Sequence, residues 1–185
     1  TGGGVINSGP GASLLLRELA EATGFPVTST LMGLGAYPAR GKLWIGMLGM
    51  HGLYEANMAM HDCDLMINIG ARFDDRITGR LNAFSPGSKK AHIDIDPSSI
   101  NKAIRADIPI IGDVGHVLED LLKVWKARGR KTNREGLAKW WKQIDAWRAV
   151  DCLRYKPSTA TIKPQYALQR LEALTRDHPA RYITT

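Results

Sequence analysis

Two arginines and two aspartates fall within five residues at Arg72-Phe73-Asp74-Asp75-Arg76, just after the apolar run Leu65-Met66-Ile67 and Gly70. The apolar run reads as a buried strand. In an open α/β sheet, ligands bind beyond the carboxyl ends of the strands. There Arg72 and Arg76 offer planar donor forks suited to a diphosphate. Asp74 and Asp75 accept from hydroxyls or hold the arginines in place, and Gly70 lets a ligand approach the backbone. The competing account is a solvated loop with two surface ion pairs, which contribute little to stability.

The elements that must position this loop alternate along the chain. Gly2 to Gly9 reads as a strand end and turn, leading into a helix with Leu15, Leu19 and Ala22 on one face and Gly24 as its stop. The third glycine comes too late for G-x-G-x-x-G. Pro26–Thr30 is the next strand. The glycine-rich stretches 31–38 and 43–50 are either a flexible apolar wall for a flat ring system or filler between sheet and helix. His51-Gly52 precedes a helix over about residues 53–62. His51 has no second histidine or cysteine at metal spacing. Residues 91–96 form a strand ending in carboxylates, the position from which a Rossmann-type domain grips a ribose. Asp94 and Asp96 share a face there, although Asp96 is equally suited to cap the turn after Pro97. Ile108–Ile111 is a short strand. Asp113 caps the next helix, which presents Val117, Leu118, Leu121 and Leu122.

Strand–helix alternation with short loops means a parallel sheet between two helical layers, an α/β three-layer architecture. Its rim collects Gly2–Gly4, Thr30–Met32, Met50–Gly52, Gly70–Arg76, Asp94–Ser99 and Gly112–Val114. A groove that long suits a dinucleotide.

At 185 residues with 44% apolar content, the chain suits one domain, or one plus part of another. It opens at Thr1 on a glycine cluster, which suggests a piece of something longer. No apolar run is long enough to span a bilayer, and no membrane partner is expected. Cys63 and Cys152 lack ligand spacing and read as reduced thiols of an intracellular protein, with Cys63 half-buried at a helix end. No metal site is expected. The net charge of +7 concentrates in Lys123, Lys126, Arg128, Arg130, Lys131, Arg134, Lys139 and Lys142. A nucleic acid could bind such a run. A basic connector and solvated helix face explain it better, and no nucleic-acid partner is expected. Trp140, Ile144 and Trp147 fall at helical spacing within 136–150 and look like packing surface. A further helix starts at Pro164, with Leu168, Leu171 and Leu174 expected to be buried, and residues 179–185 begin a strand.

The run Ile69-Gly-Ala-Arg-Phe-Asp-Asp-Arg-Ile-Thr-Gly79 resembles the central domain of the acetolactate synthase catalytic subunit. His51-Gly-Leu-Tyr-Glu-Ala-Asn-Met58, His92-Ile-Asp-Ile-Asp-Pro97, Gly2-Gly-Gly-Val5 and Gly112-Asp113 match in the same order. The resemblance covers nearly the whole chain and is weakest at about 127–160. It implies a three-layer, parallel Rossmann-like (DHS-like) sheet with helices on both faces. It implies a central FAD-binding domain over 1–126, a basic linker and amphipathic helix over 127–161, and the truncated start of the thiamine-diphosphate-binding domain over 162–185. The FAD contacts it implies are Gly2, Gly3, Gly4; Thr30, Leu31, Met32; Met50, His51, Gly52; Gly70, Ala71, Arg72, Asp74, Arg76, Ile77; Asp94, Ile95, Asp96, Ser99; and Gly112, Asp113, Val114.

No catalytic residue is implied within this chain. Thiamine diphosphate and Mg2+ belong to the full-length enzyme and their sites are absent here, as are the first and third domains. The family condenses pyruvate with a second 2-oxo acid, with loss of CO2, in branched-chain amino-acid biosynthesis. The resemblance further implies a cytoplasmic bacterial enzyme, a homodimer or homotetramer with a small regulatory subunit, and no synthase activity for this chain alone. The alternative is a cofactor-free structural middle domain of another thiamine-diphosphate enzyme.

Overall fold

The computed structural model describes residues 1–129 and 131–178, in two units, Thr1–Val150 and Asp151–Thr185. In chain order the first unit contains α1 (Gly3–Asn7), α2 (Pro10–Thr23), β1 (Val27–Ser29), β2 (Trp44–Met47), α3 (Tyr54–Asp62), β3 (Leu65–Ile69), α4 (Asp75–Thr78), β4 (Lys89–Asp94), β5 (Ile108–Ile111), α5 (Val114–Ala127) and α6 (Arg134–Arg148). The second contains α7 (Pro164–Thr175).

All strand pairs are parallel. β1 pairs with β2, and β4 lies between β3 and β5. The two sheets are bridged at their carboxyl ends by the first residues of the chain. The Thr1 nitrogen donates to the Thr28 carbonyl at 2.7 Å, the Thr1 carbonyl accepts from Thr30 N–H at 2.9 Å, and Gly2 N–H donates to the Ile69 carbonyl at 2.9 Å. Side chains alternate across the strands, as period-two geometry requires. Val27, Trp44, Ile67, Ile69 and Ile93 face one cluster with Leu16 and Ala20 of α2 and Leu118 of α5. Ile45 joins the opposite cluster with Ala59 of α3 and Ile144 and Trp147 of α6, and Met66 packs near Met60. Helices therefore cover both faces, and the architecture is the three-layer α/β one expected.

Local chemistry accounts for the helices. α2 begins with Pro10, whose missing N–H costs nothing at a first turn, and Gly24 ends it in the left-handed conformation. Its buried stripe is Ala12, Leu16, Ala20 and Thr23. Leu15 and Leu19 flank that stripe, and Ala22 is exposed, contrary to the expected face. α5 buries Val114, Leu118 and Leu122. α6 is held by Ile144 and Trp147 packed with Ile45 and Ala59, by Trp141 Nε1 donating to the Gly24 carbonyl at 3.0 Å, and by Arg148 donating to the Trp44 carbonyl at 2.9 Å. These tryptophans are packing surface. The basic run is partly neutralised: Lys126 pairs with Glu18 at 2.6 Å and Lys139 with Glu135 at 2.7 Å.

Three expectations are corrected. Residues 3–7 are a short helix instead of a strand end, because Val5 is fully buried under α2 and the chain must turn at once. Residues 44–47, read as wall or filler, are a strand paired to β1. Leu168, Leu171 and Leu174 are exposed, because none of the described residues from 151 to 178 is buried. The strand expected at 179–185 lies outside the described residues. No described helix is long and apolar enough to cross a membrane.

Candidate functional site

The site is built at the carboxyl rim of the parallel strands. β3 ends at Ile69, and Gly70 comes next at φ +65°, donating its N–H to the Ile93 carbonyl at 2.8 Å. Its own carbonyl accepts from Gly4 N–H at 3.0 Å. A Cβ on Gly4 would lie 2.7 Å from Gly70 Cα, and one on Gly2 would lie 2.3 Å from the Gly70 carbonyl oxygen. These glycines are accounted for by backbone packing on backbone, a reason different from the ligand approach expected at Gly70.

The loop after Gly70 is pinned from below. The Ala71 carbonyl accepts from Asn68 Nδ2 at 2.7 Å and lies 2.9 Å from His92 Nε2. A carbonyl only accepts, so Nε2 carries the proton and Nδ1 is bare. Nδ1 is buried with no hydrogen-bond partner among the described residues, and His92 is fully buried. Burial pushes the imidazole pKa down, opposed by the Ala71 carbonyl and by Asp94. Phe73 sits at φ +54°, an uncommon conformation for a bulky residue, and is wedged edge-on against both His92 and Phe84.

With Ala71 and Phe73 held, Arg72 and Arg76 project to the surface, their side chains 74% and 72% exposed. Arg72 reaches Asp74 Oδ2 at 2.7 Å, and Asp74 also caps α4 by accepting from Arg76 N–H at 3.3 Å. Two exposed guanidinium forks thus line the same cavity at the strand ends, Arg76 lying 3.7 Å from Asp75. They can take an anion without first leaving a buried pair.

A cavity of about 1600 Å3 runs along this rim and down between β1 and β3. Of the residues singled out from sequence it brings together Gly3, Gly4, Thr30, Leu31, Met32, Gly70, Ala71, Arg72, Asp74, Arg76, Ile77, Asp94, Ile95 and Ser99. Thr30 caps the single turn Leu31–Gly33, which leaves Leu31 and Met32 exposed on the rim. Gly2, Met50, His51, Gly52, Asp96, Gly112, Asp113 and Val114 do not line it. Met50 is nevertheless adjacent, its N–H donating to the Arg76 carbonyl at 2.8 Å.

β4 ends at Asp94, so Asp96 lies beyond the strand and does not share its face. Asp96 caps a turn instead: the Ser98 hydroxyl and N–H donate to it at 2.8 and 2.9 Å and hold its carboxyl below the usual range. Asp113 caps α5 and accepts from the Ser8 hydroxyl at 2.8 Å, which likewise holds its pKa down. Val114 is buried beneath that cap.

Sequence reading missed Asn7, which lines the cavity, and the supporting roles of Asn68 and His92. A signal existed for the latter two. Asn68 is a polar residue inside an apolar strand and His92 stands between Ala91 and Ile93, and buried polar groups need partners. His92→Leu removes one donor to Ala71 and is expected to cost about 1–2 kcal/mol, read by urea unfolding. The lowered pKa also sets a sign. The unfolded chain takes up a proton before the folded one, so this part of the stability is complete above about pH 6.5 and is lost as pH falls below it. His92→Leu should flatten that part of the profile.

The parallel strands, the two helical layers and the rim together define a three-layer α/β domain of the Rossmann-like class. Residues 1–121 match the family described as the central domain of thiamine pyrophosphate enzymes, and the chain belongs to that family. It is 46% identical over 184 residues to the acetolactate synthase isozyme 3 large subunit of Escherichia coli, covering all of this chain and 31% of that protein. It is 45% identical to the acetolactate synthase large subunit of Haemophilus influenzae, covering 95% of this chain and 30% of that one. It is 44% identical to the acetolactate synthase of Mycobacterium avium, covering 92% and 27%. The chain therefore spans about a third of the length of these relatives.

Proposed function

We propose that this domain is the FAD-binding middle domain of an acetolactate synthase, and that the rim between Gly3 and Ser99 holds the flavin nucleotide. The observation that carries the reading is the pair of exposed guanidiniums, Arg72 and Arg76, beside a long cavity at the strand ends. Similarity at 44–46% identity to three acetolactate synthases supports it. In this reading Arg72 and Arg76 bind the diphosphate, and Asp74 orients Arg72. Asp94 and Ser99 take the adenosine side, while Met50 and Ile77 exclude water along the flavin. When bound, FAD undergoes no net redox change in the family's reaction.

The rest of the longer protein would supply thiamine diphosphate, Mg2+ and the chemistry: condensation of pyruvate with pyruvate or 2-oxobutanoate, with loss of CO2. Residues 162–185 would open its thiamine-binding domain. A cytoplasmic homodimer or homotetramer with a small regulatory subunit completes the proposal. The 185-residue chain alone should show no turnover with pyruvate, thiamine diphosphate, Mg2+ and FAD.

A cofactor-free middle domain is the second reading. It draws on Gly2, Gly4 and Gly70 being consumed by packing and on Arg72 being paired with Asp74. Titration with FAD, followed by desalting and a flavin spectrum, separates the two. Saturable binding is expected. Arg72→Ala and Arg76→Ala should each weaken it about tenfold, the scale of one charge-assisted hydrogen bond. Lys142→Ala, on the exposed face of α6, should leave it unchanged. Absence of flavin at any concentration, or indifference to both arginines, would favour the empty domain.

A further inference from the structure

Arg72 is flanked on both sides by residues that one imidazole holds. Before it, the Ala71 carbonyl lies 2.9 Å from His92 Nε2. After it, the Phe73 ring meets the His92 ring edge-on, with centroids 4.8 Å apart. Asn68 Nδ2 donates to the same Ala71 carbonyl at 2.7 Å, so both lone pairs of that oxygen are taken. Asn68 and His92 are partners in register across β3 and β4, which brings their side chains out of the sheet side by side. Both donors therefore stand on paired strands and not on the loop that they hold.

With both neighbours held, the direction of Arg72 is set. Phe73 turns its ring into the cluster with Phe84 and Ile104, and Arg72 is left facing outward, its side chain 74% exposed. Phe73 does this at φ +54°, a conformation that a bulky residue adopts only where its surroundings impose it. The rings of His92 and Phe84 are those surroundings. His92 Nε2 also lies 3.8 Å from Asp94 Oδ2, so the same imidazole stands beneath two of the residues that line the rim. His92 is itself fully buried and offers a ligand nothing directly.

We infer that His92 is a positioning residue for Arg72: its Nε2–H and its ring fix the backbone on either side of the arginine, so that the guanidinium is aimed at a diphosphate before any ligand arrives. The inference rests on the flavin reading for what Arg72 binds, and it goes further in naming the buried group that aims it. A loop that wanders binds only while it is in the competent arrangement, and its apparent affinity falls by that fraction. Loss of the Nε2 donor removes one hydrogen bond, which sets the expected fall at about tenfold. Side-chain geometry separates this donor from mere bulk. Gln carries an N–H as far from the backbone as His Nε2, Asn carries one only as far as Nδ1, and Leu carries none.

The test compares the 185-residue chain with its His92→Gln, His92→Asn and His92→Leu variants at about pH 8, where an imidazole is neutral. Titration with FAD is expected to give His92→Gln an affinity within about threefold of the unaltered chain, and His92→Asn and His92→Leu affinities about tenfold weaker. Amide hydrogen exchange at Ile77 and Thr78, which both donate to the Asp74 carbonyl, reads the loop without any ligand. It is expected to quicken about tenfold in His92→Asn and His92→Leu, relative to Leu118 of α5, and to return in His92→Gln. If His92→Leu does not fold, His92→Asn carries the comparison. Four chains alike in affinity and exchange overturn the inference. So do losses shared equally by all three variants, which would mean that the imidazole only fills space. If FAD binds and ignores all three substitutions, the flavin reading stands and the positioning role falls. If the unaltered chain binds no FAD, the flavin reading falls instead and exchange alone decides: no quickening in His92→Asn overturns the positioning role, and quickening reversed by Gln upholds it.

Discussion

Gly70→Ala is expected to destabilise the first unit by about 2–5 kcal/mol. Two costs add. A left-handed residue with a Cβ costs about 1–2 kcal/mol, and Gly70 sits at φ +65°. Forcing a methyl into a filled space costs about 1–3 kcal/mol more. Here the space is filled by backbone: the new Cβ would lie 2.8 Å from Gly4 Cα and 3.1 Å from Val5 N. Backbone cannot rotate aside as a side chain can. Retreat is also blocked, because Gly70 is hydrogen-bonded on both sides, to Ile93 and to Gly4. Gly129 supplies the control. It lies at φ +55° with open space where a Cβ would go, so Gly129→Ala should cost only about 1–2 kcal/mol. Urea unfolding with an unchanged slope measures both. Equal losses would mean that the Gly4–Gly70 contact contributes nothing beyond the dihedral preference. The same substitution should loosen the Ala71–Arg76 loop, so a destabilised but folded Gly70→Ala chain should also bind FAD more weakly.

Much of this rim was legible because β3 and β5 are apolar runs followed by Gly70 and Gly112, and because β4 ends in the carboxylate of Asp94. Parallel topology then leaves one place for their ends. β2 was not legible, and Gly46 shows why. It sits inside the strand at φ +107°, and the Leu53 side chain occupies the space where its Cβ would be. A glycine and a methionine in so short a strand carry loop chemistry, while the register comes from pairing with β1 and cover from α3. α1 is similar: Gly3-Gly4-Val5-Ile6-Asn7 has no intrinsic helix preference. It is helical because Gly4 must touch Gly70 and Val5 must be buried, and both partners lie far away in sequence. Asp96 and Asp113 expose another limit. A carboxylate after a strand suits a ribose and a turn cap equally, and only neighbours decide. Here Ser98 and Ser8 show that both carboxylates act as caps. The leucines of α7 have the spacing of a packing face. Spacing does not say whether the partner lies within residues 151–178, and it does not.

The chain whose first residue is Thr1 should lose about 4 kcal/mol of stability between about pH 9 and pH 5 through a single group, its α-amino nitrogen. In the unfolded chain this amine has its ordinary pKa of 8.0, and in the folded chain burial lowers it to about 5. Between those values the unfolded state binds a proton that the folded state does not. The group's contribution is therefore complete above about pH 8 and shrinks as pH falls toward 5. Asp96 and Asp113, both held low, act in the same direction but only at more acidic pH. His92 adds to the slope below about pH 6.5, and His92→Leu subtracts it. N-acetylation of Thr1 removes the amine's titration and keeps an N–H for the Thr28 carbonyl. Urea midpoints across this pH range should converge for the two forms at the alkaline end. At the acidic end the acetylated chain should be the more stable by several kcal/mol. Curves that stay parallel would mean that water reaches the nitrogen and solvates its charge.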